Sequence, residues 1–157
     1  MKIWEENIDT FVYLSTVHEV KMILIGGAAV NFHGYQRHSA DVDFWIDTTE
    51  LNFKKLISVF NEMGYEINDF PEAVKNKLQN ISVKFSPLDL NLELITNFSV
   101  NKSFDEALKD SEKIIINNHN LLRCNILSFE DLIVSKIKAN RPKDLLDVQQ
   151  LREINKK

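Results

Sequence analysis

Two aspartates two residues apart, Asp41 and Asp43, follow a glycine pair in the stretch LIGGAAVNFHGYQRHSADVDFWID, residues 24–47. In an extended strand they share one face, about 6.6 Å apart along the backbone at ~3.3 Å per residue. Carboxylates so spaced can converge on one hard cation, and oxygen ligands of this kind suit Mg2+. Without a cation they repel by about 4 kcal/mol at roughly 4 Å and an effective dielectric of about 20. Asp41, Asp43, Trp45 and Asp47 alternate with Val42, Phe44 and Ile46, so the acidic residues lie on one side. A strand with one solvated face has the same pattern, although Trp45 on that face points to partial enclosure. Asp47 lies too far along the strand to share an ion.

The other candidate groups surround this pair. Gly26-Gly27 permits positive φ and lets backbone N–H groups approach a ligand. A helix starting there would turn its positive dipole end toward phosphate. The motif is neither a Walker A loop nor GxGxxG, and a plain structural turn reads the same way. Arg37 precedes Asp41 by four residues, with Ser39 between them. An arginine there can neutralise the carboxylates, grip a triphosphate with its planar fork, or form a surface ion pair. A third carboxylate is available as Asp89 or Glu93, both opposite the leucines of LDLNLELIT. They are about 13 Å apart along a strand, so only one can join, and spacing does not choose. An edge strand with outward charges has this pattern too. Near the C-terminus, Lys136, Arg141 and Lys143 accompany Asp144 and Asp147, where a capped helix with surface ion pairs is the alternative. His18, His33, His38 and His119 show no metal-ligand spacing and no nucleophile pairing.

Elements to carry these groups are readable from periodicity. Residues 4–19 form an amphipathic helix, Met22–Ile25 a buried strand, and Ala28–Phe32 a short helix stopped by Gly34. Asp41–Asp47 is a strand, followed by a helix from about Glu50 to Met63 capped by Thr48 or Thr49 and stopped by Gly64. Pro71 opens a helix to Leu78, and Ile81–Phe85 and Leu88–Thr96 are strands around Ser86-Pro87. Ser103-Phe-Asp-Glu106 is a capping-box signature opening a helix to about Lys109. Strands Ile114–Ile116 and Leu121–Ile126 precede helices capped by Ser128 and opened by Pro142. This predicts an α/β (α+β) fold without strict βαβ alternation: a mixed sheet with helices on one side. One domain is expected over 1–157, with a core of about 22–126 and C-terminal helices over about 128–154.

Composition narrows the class. The chain has 157 residues, 44% apolar and 27% charged, which argues against disorder. A net charge of −4 gives no general drive toward nucleic acid. Cys124 is the only cysteine, which excludes an intrachain disulfide and a cysteine-rich metal site. No apolar run approaches the ~18 to 20 residues of a bilayer span, and the acidic N-terminus does not read as a signal peptide. The expected location is the cytoplasm.

Taken in order, the motifs resemble the DNA polymerase beta-type nucleotidyltransferase superfamily: a Gly-Gly turn, a short helix, D-x-D on the next strand and a later carboxylate. I-G-G-x-A followed by G-x-x-R-x-[ST]-x-D-x-D is similar to the small bacterial branch related to AbiEii-type toxins and minimal nucleotidyltransferases. Glu93-Leu-Ile-Thr96, eleven residues before Phe104-Asp-Glu-Ala107, matches its D-[IL]-L-T strand and F-[DE]-E-A helix start. The match selects Glu93 over Asp89, with glutamate where aspartate is usual. E-D-L-I-x-x-K and R-P-K-D-x-x-D complete the series through Lys136, Arg141, Lys143, Asp144 and Asp147. The resemblance implies a nucleotidyltransferase fold and transfer of a nucleoside monophosphate from a triphosphate, ATP first among them, to a protein, RNA or small-molecule hydroxyl. It implies Mg2+ or Mn2+ held by Asp41, Asp43 and Glu93, with Glu93 also helping to deprotonate the attacking hydroxyl. Gly26, Gly27, Arg37 and Ser39 would contact the nucleotide, with Lys136, Arg141 and Lys143 as further contacts. It also implies a toxin–antitoxin setting with a partner protein or RNA. The alternatives are a non-catalytic, antitoxin-like binding module of the same fold and an antibiotic-modifying nucleotidyltransferase.

Overall fold

A computed structural model describes residues 6–117 and 121–156. The chain opens with α1 (Glu6–Val17), which buries Ile8, Phe11 and Val12. Strand β1 (Met22–Ile25) is buried at every position, as a central strand covered on both faces must be. It runs directly into α2 (Gly26–Phe32), two residues earlier than periodicity predicts. Strand β2 (Asp41–Ile46) follows, then α3 (Glu50–Glu62), whose N-cap Thr49 accepts a bond from the Asn52 N–H.

The next segment departs most from its sequence pattern. The helix expected over Pro71–Leu78 is the single turn α4 (Glu72–Lys75), with Pro71 as its N-cap. Lys77 at φ +62 ends it, and the N–H groups of Leu78 and Gln79 both return to the Ala73 carbonyl. Strand β3 spans only Ile81–Val83, and β4 is Asn91–Ile95 rather than 88–96. Asp89 N–H bonds the Ser86 carbonyl in a turn, and Leu88 is 93% exposed. The leucine alternation therefore overshoots the strand, because backbone turn bonds take residues 86–89 out of the ladder. Helix α5 (Phe104–Asp110) carries the capping box between Ser103 and Glu106. The hairpin β5 (Glu112–Asn117) and β6 (Leu121–Ile126) leads to α6 (Phe129–Ala139), N-capped by Ser128. Asn140, left-handed at φ +53, closes α6, and α7 (Pro142–Ile154) starts with proline in its first turn.

The sheet runs β3-β4-β2-β1-β6-β5. It is mixed: β2 is antiparallel to β1 and parallel to β4, while β1 is parallel to β6. Helices flank both faces, not one. Phe44 on β2 meets Phe11 of α1 at 6.4 Å, while Trp45, on the opposite face, lies 5.1 Å from Phe104 of α5. The acidic face of β2 is thus roofed at its Trp45 end and open at its aspartate end. Among the described residues no helix is long and apolar enough to cross a membrane.

Candidate functional site

The site begins where β1 turns into α2. The antiparallel register sets Ile25 opposite Asp43, so the glycine turn lies against the Asp43 side chain. Gly26 has φ +66, and a Cβ added there would sit 2.3 Å from Asp43 Oδ2. A Cβ on Gly27 would sit 2.7 Å from Ser39 Oγ, whose hydroxyl donates to the Asp41 carbonyl at 2.9 Å. Both glycines are there because D-x-D and Ser39 press against the turn.

Parallel pairing of β2 with β4 places Glu93 beside Asp43 and Asn91 beside Asp41. Side chains paired in this way point to one face, so register brings Asp43 and Glu93 together. Asp89 lies outside β4, and its Oδ2 accepts from Asn7 Nδ2 at 2.8 Å. Asn91 Nδ2 donates to Asp41 Oδ1 at 3.1 Å, and Ser82 Oγ on β3 donates to Glu93 Oε2 at 2.6 Å. Neither Asn91 nor Ser82 stands out in the sequence, since only the register makes them neighbours of the carboxylates.

Burial, then the charges of Asp41 and Glu93, push the Asp43 carboxyl up to about 6; Lys136 and Lys143 oppose them. Asp43 therefore holds its proton more tightly in the folded chain than in the unfolded one. Below the ordinary 3.8 both states are protonated and nothing is lost; stability falls as pH rises from there to about 6. Asp43→Asn removes this titration. Relative to the variant, wild type is expected to lose about 1–2 kcal/mol across that window, a figure reduced for solvent screening. Urea melts at pH 4 and pH 7 check it, and equal pH slopes for both proteins would contradict the raised Asp43 carboxyl.

Behind the carboxylates lies a buried charge network. Asp147, 2% exposed, pairs with Arg37 (Nε–Oδ1 3.0 Å, Nη2–Oδ2 3.1 Å) and with Lys136 (Nζ–Oδ2 3.0 Å). Lys136 also reaches Asp144 Oδ1 at 3.3 Å, and Arg141 binds the same carboxylate through Nε and Nη2. Burial raises the Asp144 carboxyl, but Arg141 and Lys136 outweigh it and hold it below the ordinary value. Arg37 is thus tied to α7 rather than to the D-x-D pair, and a Cβ on Gly27 would lie 3.6 Å from its Nη1. Lys143 is exposed.

A cavity of about 220 Å³ opens between these parts, lined by Gly26 and Asp43, by Ile95 and Phe98, and by Lys136, Ala139, Arg141 and Asp144 among others. The structure thus brings Gly26, Asp43, Lys136 and Arg141 to one opening and stacks Gly27, Ser39 and Arg37 behind the turn. Over residues 6–156 the chain matches the family model described as "Nucleotidyltransferase of unknown function (DUF6036)". The chain belongs to this nucleotidyltransferase family. No curated protein matches it.

For a member of a nucleotidyltransferase family, the question is whether these residues suit a divalent cation. Asp41, Asp43 and Glu93 offer only oxygen donors, the kind a hard cation takes. The Asp43 carboxyl is raised first by burial and then by the charges of Asp41 and Glu93, against Lys136 and Lys143. The donor set fits in kind. As placed, however, Asp41 and Glu93 are engaged by Asn91 and Ser82, and among the described residues no group of three or more His, Cys, Asp or Glu is gathered around one point. An ion would compete with those two hydrogen bonds.

The remaining nucleophile and histidine candidates are structural. Burial pushes the Cys124 thiol up to about 12, leaving it unreactive. His33 Nε2 donates to the Leu127 carbonyl at 2.8 Å, and His18 lies 2.7 Å from Glu62. His119 lies outside the described residues. Phe98 has no signal in the sequence reading: it sits in a loop, where no periodicity marks it.

Proposed function

We propose that the chain transfers a nucleoside monophosphate from a nucleoside triphosphate, ATP first among candidates, to a hydroxyl acceptor, releasing pyrophosphate. The observation that carries this reading is the register pair Asp43–Glu93, set beside Asp41 and against the Gly26-Gly27 turn. Asp41, Asp43 and Glu93 would hold Mg2+ or Mn2+, which when bound stabilises charge on the attacking and leaving oxygens. The backbone N–H groups of Gly26 and Gly27 would orient phosphate oxygens, with no side chain in the way. Lys136 lines the same cavity as Asp43 and would offset charge on a bound phosphate. Arg141, in the cavity lining, and the exposed Lys143 complete the nucleotide contacts in this reading, while Arg37 and Ser39 support the turn from behind. The ordered motifs support placement in the branch related to AbiEii-type toxins, with a toxin–antitoxin partner protein or an RNA as the macromolecular contact.

Incubation with labelled nucleoside triphosphates, Mg2+ and cell extract is expected to label an acceptor. Asp43→Asn should lower that transfer by about a thousandfold, the scale of removing one preorganised electrostatic group. Transfer by Asp43→Asn at the wild-type rate would remove the basis of the proposal. Mg2+-dependent ATP binding without transfer to any acceptor would favour the non-catalytic module.

A further inference from the structure

The cavity beside Asp43 has a mixed lining: Asp43, Lys136, Arg141 and Asp144 are polar, and Ile25, Ile95, Phe98 and Ala139 are apolar. At about 220 Å³ it is smaller than the roughly 300–1,000 Å³ of small-molecule sites, so a nucleotide bound along it would extend beyond it. Asp41 and Glu93 are not in its lining.

The Phe98 ring is held as a fixed surface. It packs on Trp45 with centroids 5.2 Å apart and planes at 55°, and Trp45 in turn meets Phe104 at 5.1 Å and 83°. The loop that carries it is pinned to α6 at several points. Lys138 Nζ donates to Ser99 Oγ at 2.8 Å and to Asn101 Oδ1 at 2.6 Å. Lys102 bridges Asp131 at 3.0 Å and Asp110 at 2.8 Å, and Val100 is buried. Such a ring loses little freedom on meeting a ligand, which is what makes an aromatic an effective stacking partner. Among the described lining residues there is no side-chain amide to read a base edge, and the Ser135 hydroxyl donates to the Leu132 carbonyl at 2.7 Å.

Resting on the function proposed above, we propose that Phe98 is the platform on which the nucleobase stacks, and that it selects purine over pyrimidine triphosphates by stacking area alone. Adenine and guanine are then accepted alike, because the residues about the base, Ile25, Ile95, Phe98 and Ala139, carry no side-chain hydrogen-bonding group. Stacking on one aromatic changes affinity by about tenfold.

Calorimetric titration in Mg2+ with ATP, GTP, CTP and inorganic tripolyphosphate tests this. Wild type should bind ATP and GTP equally and about threefold more tightly than CTP, a part of the whole stacking effect. Phe98→Ala should weaken ATP about tenfold and leave tripolyphosphate unchanged, which also shows that the variant is folded. Phe98→Leu, which keeps apolar packing on Trp45, should behave like Phe98→Ala, whereas Phe98→Tyr should bind as wild type does. Unchanged ATP affinity in Phe98→Ala and Phe98→Leu overturns the platform while leaving the function intact. Equal loss for ATP and tripolyphosphate makes Phe98 a scaffold residue and overturns it too. Failure of wild type to bind either ligand overturns the function as well.

Discussion

Asp147→Ala is expected to destabilise the fold by about 3–5 kcal/mol, the cost of breaking a buried ion pair by removing one partner. At this chain length that lowers the melting temperature by about 10 °C. The reason is the arrangement around a carboxylate that is 2% exposed. Its two oxygens serve Arg37 and Lys136 together, and Lys136 is itself only 7% exposed. Without Asp147, Arg37 has no acidic partner among the described residues, and Lys136 must share Asp144 with Arg141. Buried Lys136 and the exposed Arg141 would then share one carboxylate, while Arg37, a quarter exposed, would lose its carboxylate. Urea denaturation of Arg37→Met, Asp147→Ala and the double variant closes a mutant cycle. The double variant should be more stable than the two single losses predict, because an uncompensated charge costs more than an absent pair. A loss below about 1 kcal/mol for Asp147→Ala would place the network in the class of solvated surface pairs. Catalysis should suffer with stability, since the same carboxylate fixes Lys136 in the cavity that Asp43 lines.

Gly26→Ala should damage the site more than the fold. A left-handed backbone with a side chain costs about 1–2 kcal/mol, and the added Cβ would lie 2.3 Å from Asp43 Oδ2. The carboxylate must move, because the alternative is to rebuild the end of β1, a buried central strand. A displacement of that order is expected to lower nucleotidyl transfer by about a hundredfold. Gly64→Ala supplies the comparison. Gly64 has φ +101 with no atom within 4 Å of an added Cβ, so it carries backbone strain without the collision. Gly64→Ala should therefore lose stability and keep activity. Equal activity in the two variants would mean that Asp43 does not depend on the turn.

The local elements were readable where periodicity and capping chemistry agree. The strand with the D-x-D pair, the helices capped by Thr49, Ser103 and Ser128, and the proline-led final helix all lie within a few residues of their expected bounds. The pattern misled where it continued past the hydrogen bonds. Leu88 keeps the leucine alternation, but a turn between Ser86 and Asp89 holds it outside the ladder. Placing all helices on one face failed because Trp45, on the acidic side of β2, is covered by Phe98 and Phe104. Those residues follow it by about fifty positions, beyond the reach of any helical or strand period.

The site divides along the same line. By itself the sequence determined that Asp41 and Asp43 share a strand face, that a glycine turn precedes them and that charged residues cluster around Pro142. Each of these follows from backbone geometry within a few residues. Spacing left Asp89 and Glu93 equivalent, and resemblance chose Glu93; the parallel register of β4 on β2 places it beside Asp43. Tertiary structure alone decided that Arg37 pairs with Asp147 across 110 residues, that Gly26 is a glycine because a carboxylate lies over it, and that Phe98 walls the cavity. Local periodicity records which face a side chain takes, but not which distant segment meets that face. That is decided when strands choose register and helices bury their faces against the sheet.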